Sequence, residues 1–176
     1  SLCSIDFDKE KGTFGNRIDT LIDAEKMKKS ISFPRPSYDG KYIMFTLSDY
    51  GNFSIWHKEA DLWLLNLQDG SLRTIHEVNS DNTESFHNWS SNSHWFVFSS
   101  RREDGLYTRL YLACINKEGK VSKPFLLPQK NPMNYYDKLL YSYNVPEFTN
   151  SPVKIEPRKL EREIVSNKRV QVEVRK

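Results

Sequence analysis

An all-β chain built from repeated four-stranded antiparallel units is predicted here, on three observations. First, Pro36-Ser37-Tyr38-Asp39-Gly40-Lys41-Tyr42-Ile43-Met44-Phe45 is matched further along by Trp89-Ser90-Ser91-Asn92-Ser93-His94-Trp95-Phe96-Val97-Phe98. Second, Leu62-Trp63-Leu64-Leu65-Asn66-Leu67 is matched by Leu110-Tyr111-Leu112-Ala113-Cys114-Ile115, and each is followed by a turn with a glycine, Asp69-Gly70 and Asn116-Lys117-Glu118-Gly119. Third, Ile5-Asp6-Phe7-Asp8-Lys9-Glu10-Lys11-Gly12 matches that strand-and-turn piece without the half that should precede it. A repeat of about 40–50 residues, read as four short strands, is the signature of a β-propeller blade. The expected fold is therefore a partial β-propeller of about two and a half four-stranded antiparallel blades with a short irregular or helical C-terminal tail. Residues 1–29 would end a truncated blade, 30–79 and 80–128 form the next two, and 129–176 are the extension.

The strands follow from local signals. Residues 2–7 read as a third strand, with Ile18, Leu21 and Ile22 in the fourth, although Ile18, Leu21, Ile22 and Met27 also fit helical spacing over 17–29. Ile31-Ser32-Phe33 is an inner strand that Pro34 and Pro36 should end, since proline cannot donate to a ladder. Tyr38–Lys41 is a tight turn, with Asp accepting a local hydrogen bond and Gly taking positive φ. Strands at 42–47, 61–67 and 72–78 complete this blade around a long loop at 48–60. Strands at 85–89, 94–99, 108–116 and 121–127 repeat the plan. Adjacent apolar residues, as in Leu62-Trp63-Leu64-Leu65 and Trp95-Phe96-Val97-Phe98, suit sheets covered on both faces. Beyond Leu127, prolines punctuate the chain. Tyr135, Tyr136, Leu139, Leu140 and Tyr143 share the face of a short helix, a second helix fits 158–166, and Val170, Val172 and Val174 alternate as in an edge strand.

Bulk properties narrow the function. The chain has 176 residues, 13% aromatic and 38% apolar, with a net charge of +3. Residues 154–176 carry eight Lys/Arg against four Asp/Glu, so the body is nearly neutral and the tail basic. That distribution does not resemble a nucleic-acid groove. No apolar run approaches the ~18 residues of a transmembrane helix. The two cysteines, Cys3 and Cys114, read as small core residues with no disulfide between them.

The stretches at 36–45 and 89–102 resemble the TolB-type, WD-like propeller repeat, an inner strand ending in a Trp-Ser-Pro-Asp-Gly turn and then an apolar strand ending in Ser-x-Arg. Asp104-Gly105 with Leu110-Tyr111-Leu112, and Asp61-Leu62-Trp63-Leu64, match its later elements; Pro36 stands where Trp is usual, and Asn92-Ser93 replaces Asp-Gly. Ser99–Arg109 and Lys123–Pro128 are similar to the last blade of envelope-associated propellers from Bacteroides-type bacteria. The resemblance implies a ring of six to eight blades, on the order of 250–350 residues, with missing blades supplied by a parent chain or by other copies.

Chemistry is sparsely signalled. Propellers of this kind also cap prolyl oligopeptidase-family enzymes, but none of the seven glycines forms the Gly-x-Ser-x-Gly elbow. His57, His76, His87 and His94 lack metal-ligand spacing, and no cofactor or metal is expected. His87, on an inner strand with Glu84, is expected to face a solvated central channel. The rim loops offer the best surface: Tyr50, Trp56 and His57 in one, Arg101, Arg102, Asp104 and Tyr107 in the next. Aromatic and Arg side chains are common interface anchors, while Arg and Asp in such loops also serve to fix the hairpin. The expected function is a non-catalytic scaffold of the periplasm or cell envelope that binds a protein, a peptide or a glycan. The alternative is an accessory propeller of a larger enzyme or cytochrome-assembly type protein, gating or positioning a substrate.

Overall fold

The structure, a computed structural model, describes residues 1–166. These form three antiparallel sheets and little helix. The first sheet is a hairpin of β1 (Leu2–Asp8) and β2 (Thr13–Ile22). The second runs β3 (Ser30–Pro36), β4 (Tyr42–Ser48), β5 (Asp61–Asn66) and β6 (Leu72–Thr74) in sequence order. The third repeats that order with β7 (Glu84–Trp89), β8 (Trp95–Ser100), β9 (Arg109–Cys114) and β10 (Phe125–Leu126). The helical alternative for 17–29 shrinks to α1 (Ala24–Met27), capped by Asp23, whose carboxylate accepts from the amides of Glu25 and Lys26.

The two large sheets share detail as well as order. The β3–β4 register slips between Ser32 and Arg35, and the β7–β8 register slips between Ser85 and Asn88. Each slip is a bulge holding a phenylalanine at positive φ, Phe33 at 53° and Phe86 at 46°. The bulge explains why β3 continues to Pro36 instead of ending at Pro34. A proline is tolerated where the ladder is already interrupted. The rings of Phe33 and Phe86 meet 4.8 Å apart.

The tight turns also superimpose in chemistry. Ser37 Oγ donates to Asp39 at 2.7 Å and accepts from the amide of Tyr42, while Ser90 Oγ donates to Asn92 at 2.6 Å and accepts from the amide of Trp95. Asn replaces Asp because the bond needs only a carbonyl-type acceptor. Ser93 takes φ 57° where Gly40 has 70°, and its hydroxyl accepts from the amide of Asp39, tying one turn to the other.

The outer strands are shorter than the sequence predicts. β6 stops at Thr74, and the chain turns inward to bury Ile75 and Val78. The Asn79 side chain then accepts from the amide of Leu62 and donates to its carbonyl, which also accepts from the Ile75 amide, completing the β5 edge. In the third sheet Ser122 Oγ accepts from the Cys114 amide while the Ser122 amide donates to the Cys114 carbonyl, and β10 is confined to Phe125 and Leu126.

Apolar burial follows the sheets. Met44, Leu62 and Leu64 pack with Ile75 and Val78 against Trp89, Phe96 and Phe98 between the second and third sheets. Phe45, Leu47 and Leu65 face the other way, toward Leu2 and Ile22 of the hairpin. Consecutive residues of β4 are thus buried on opposite faces, as the unbroken apolar run requires. Cys3 departs from its expected place in the core and is exposed, because only Leu2 of β1 packs against the second sheet; Cys114 is half-buried, and both are free.

The C-terminal extension lies along the third sheet. The face predicted from Tyr135 to Tyr143 is helical only in α2 (Pro132–Tyr136), after which Leu139 is buried and Leu140 is exposed. The carbonyl of Tyr143 accepts from Ser99 Oγ at 3.0 Å and Thr108 Oγ1 at 2.6 Å. Asn88 donates to Glu147 at 2.5 Å. An exposed α3 (Pro157–Val165) follows, and the alternating Val170, Val172 and Val174 lie outside the described residues.

Candidate functional site at the rim loops

Two loops leave the same ends of equivalent strands: 49–60 after β4, and 101–108 after β8. The first is shaped by two left-handed residues, Asn52 at φ 70° and Phe53 at φ 48°, leading into a single 3-10 turn over Ser54–Trp56. That turn sends Ser54 and Ile55 inward and leaves Trp56 at the surface. Behind it His57 is buried, its ring 3.9 Å from that of exposed Tyr50, and its carbonyl accepts from Thr83 Oγ1 at 2.6 Å. His57 Nδ1 lies 3.5 Å from a Glu59 oxygen.

The second loop is fastened by Asp104. One carboxylate oxygen accepts from the amides of Leu106 and Tyr107, both at 2.8 Å, and the other is 3.5 Å from Arg109. Gly105, at φ 71°, makes the reversal that brings those amides round. Arg109 is buried with its guanidinium 5.6 Å from the Tyr107 ring, and its Nη1 has no protein partner among the described residues. A cleft of about 350 Å³ opens between this loop and the extension, lined by Glu103, Asp104, Tyr107, Arg109, Tyr136 and Leu139 among others.

Arg101 joins the two loops. Its guanidinium carbon lies 3.7 Å from the centre of the Trp56 ring, and its amide donates to the carbonyl of Thr83. Arg101 is only 6% exposed while Trp56 is 66% exposed, so the cation backs the indole from beneath. Arg101 Nε has no protein partner among the described residues. Burial draws the Arg101 pKa below the ordinary guanidinium value, against the opposing pull of Asp104.

Of the residues singled out from sequence, Tyr50, Trp56, Asp104 and Tyr107 line this connected site, with His57 and Arg101 buried beneath it. Arg102, Glu84 and His87 do not. Arg102 turns inward and donates from Nε to Ser100 Oγ at 2.9 Å and from Nη2 to Glu84 at 3.1 Å, with its guanidinium 4.4 Å from the Tyr111 ring. Glu84 has no exposed surface and also accepts from the Ser80 amide, the Ser80 hydroxyl and the Ser100 hydroxyl. Burial still raises its pKa above the usual carboxylate value, outweighing these bonds.

His87 is likewise buried, against the expectation of a solvated channel. Its Nε2–H donates to the carbonyl of Met44 at 2.9 Å. Burial pushes its pKa down to about 4, so the ring is neutral. The bulge at Phe86 breaks the strand alternation just before His87, whose ring turns to the Met44 carbonyl of the second sheet, while Glu84 is buried beside Ser80 and Ser100.

Sequence reasoning passed over two residues. Phe53 is among the most exposed aromatics and sits three residues before Trp56 in the same loop; its place in an aromatic-rich loop was the available signal. Arg109 supplies the ion partner of Asp104, and nothing in its strand-like surroundings marks it. Among the described residues, no three His, Cys, Asp or Glu side chains converge as a metal cradle, and no helix is long and apolar enough to cross a membrane.

No family model and no curated protein matches this chain. Among solved structures it is similar to one from a structural and mechanistic study of two prolyl endopeptidases, at 12% identity and a TM-score of 0.31, over 64% of this chain and 23% of that one.

Proposed function

We propose that the hairpin and the two four-stranded sheets are blades of a TolB-type β-propeller, and that the molecule is a non-catalytic binding scaffold of the bacterial cell envelope. Its partner is a protein or peptide, or a glycan, engaged by the rim loops. The observation that carries this reading is the exposed Trp56 ring held on the buried guanidinium of Arg101. An indole fixed in this way presents a large flat surface with little conformational entropy left to lose on binding. Tyr50 on His57, and exposed Phe53, extend the aromatic surface. Thr83 donates to the His57 carbonyl and accepts from the Arg101 amide, two buried bonds that tie the two loops together.

The test is a titration of the 176-residue chain with panels of defined peptides and oligosaccharides, read by tryptophan fluorescence and calorimetry. A ligand that binds the parent should lose at least about tenfold in affinity with Trp56→Ala, while the unfolding midpoint stays close to that of the parent. Equal affinity for parent, Trp56→Ala and Arg101→Met would remove the rim from the mechanism.

A further inference from the structure

Where the second rim loop meets the C-terminal extension, the cleft lined by Arg109 differs in chemistry from the Trp56 surface. All the residues that line it lie between Glu103 and Leu140, and Trp56 and Arg101 are not among them. Its two sides are fastened together beside Arg109. The hydroxyl of Thr108 donates to the carbonyl of Tyr143, and its amide donates to Ser142 Oγ at 3.1 Å. The Tyr136 hydroxyl donates to the carbonyl of Leu127 at 2.6 Å, which fixes one wall. A volume of about 350 Å³ stands at the low end of ligand pockets and suits a small ligand better than the face of a folded protein.

Arg109 is the buried polar group of this cleft, only 6% exposed, whereas Glu103, Asp104 and Asp137 are exposed. Its guanidinium lies against two other lining residues, 3.5 Å from Asp104 and 5.6 Å from the Tyr107 ring, which directs the charged end into the cleft. Nη1 has no protein acceptor among the described residues. A buried donor without an acceptor is costly, so an oxygen brought by a ligand is favoured there.

The lining sets three carboxylates against that one guanidinium, an excess of negative charge that draws a cation. These acids do not converge as a metal cradle, so they suit an organic cation. Asp104 is committed to the amides of Leu106 and Tyr107 and to Arg109, which leaves Asp137 and Glu103 to meet a ligand. Leu126, buried Leu139 and the Tyr136 ring add apolar wall.

We propose that this cleft binds an α-ammonium group together with the adjacent carbonyl or carboxylate oxygen of an apolar residue, as found at a peptide N-terminus or in a free amino acid. The oxygen accepts from Arg109 Nη1, the ammonium lies toward Glu103 and Asp137, and the side chain rests on Leu139 and Tyr136. A simple cation would leave Arg109 without its acceptor, and a simple anion would meet the excess of carboxylates. Site and ligand class both go beyond the Trp56 surface and do not require it.

The test is calorimetry of the whole chain at about pH 7, where an α-amine of pKa about 8 is protonated. The probes are Leu-Gly-Gly-amide, the same peptide N-acetylated, and free leucine. Either amine should bind saturably, and the tighter of the two identifies the source. Acetylation should weaken the peptide by at least about tenfold, and so should Glu103→Gln combined with Asp137→Asn, with the urea midpoint checking the fold. In nitrogen–proton spectra the side-chain signals of Arg109, assigned by their absence from Arg109→Lys, should shift on binding. Three results each overturn the proposal: no saturable binding of either amine, equal affinity for the free and acetylated peptides, or binding that leaves the Arg109 signals unmoved. Parent affinity in the Glu103→Gln, Asp137→Asn double variant overturns it as well.

Discussion

Arg101 and Arg102 are neighbours in sequence, yet they end in opposite environments. Arg102 enters the layer between two sheets, where Glu84, Ser100 and the Tyr111 ring absorb its charge and its donors. Arg101 stays at the rim beneath Trp56 with a nitrogen that no described group accepts. Both arginines follow directly on β8, where the chain leaves the strand and turns, and the turn sends the two side chains to different partners. The difference teaches that two adjacent arginines following one strand can divide their work. Arg102 bonds the buried Glu84, and Arg101, itself buried, backs the exposed Trp56 ring.

The comparison breaks most severely at Glu84. Glu84→Ala removes the buried carboxylate that accepts from Arg102 Nη2, the Ser80 and Ser100 hydroxyls and the Ser80 amide, and the expected loss is about 3 kcal/mol in urea denaturation. A loss under about 1 kcal/mol would mean that the interior cluster is not what holds the two sheets. Arg101→Met tests the other half. It removes a cation–π contact but no hydrogen-bonded partner, so stability should fall by only about 1 kcal/mol.

Acid stability sharpens the interior half. His87, held to about pKa 4, binds fewer protons folded than unfolded between about pH 4 and 6.5, so its contribution to stability grows as pH rises through that window. Asp61 acts in the opposite sense. Burial, with nearby Glu84, raises it to about 6, so the folded state holds the extra proton and stability falls as pH rises from about 4 to 6. Asp61→Asn should therefore make stability climb more steeply with pH across this range than in the parent, measured as urea midpoints at about pH 4.5 and about pH 6.5. The smallest effect is expected at the rim turn. Gly105→Ala, at φ 71° and with Asn82 Oδ1 at 3.4 Å from the added carbon, should cost about 1 kcal/mol and weaken any ligand that depends on the Asp104 loop.

Much of the architecture was legible because it repeats. The match of 36–45 to 89–98 foretold strands and turns whose bonds prove equivalent even where Asn92-Ser93 replaces Asp39-Gly40. The bulges were not legible. Pro34 looked like a terminator, and only the second occurrence, with Phe86 in place of Phe33 and no proline following it, shows that the kink belongs to the strand pair. Side-chain substitutes for outer strands, Asn79 and Ser122, were hidden for a similar reason. A polar residue after a short strand reads as loop, whichever backbone it goes on to bond.

Within the candidate site, the loops and most of their anchors were readable from composition, since Trp, Tyr, His and Arg cluster there. Their division into surface and interior was not. By itself the sequence determined the repeat, the strand order within each sheet and the residue types at the rim, because these depend on local periodicity and turn chemistry. Tertiary structure alone decided that Glu84 and His87 are buried, that Arg102 turns in to bond Glu84, and that Trp56 rests on a buried Arg101. Which face a residue takes depends on bulges and on the packing of one sheet against the next, and both join residues far apart in the chain.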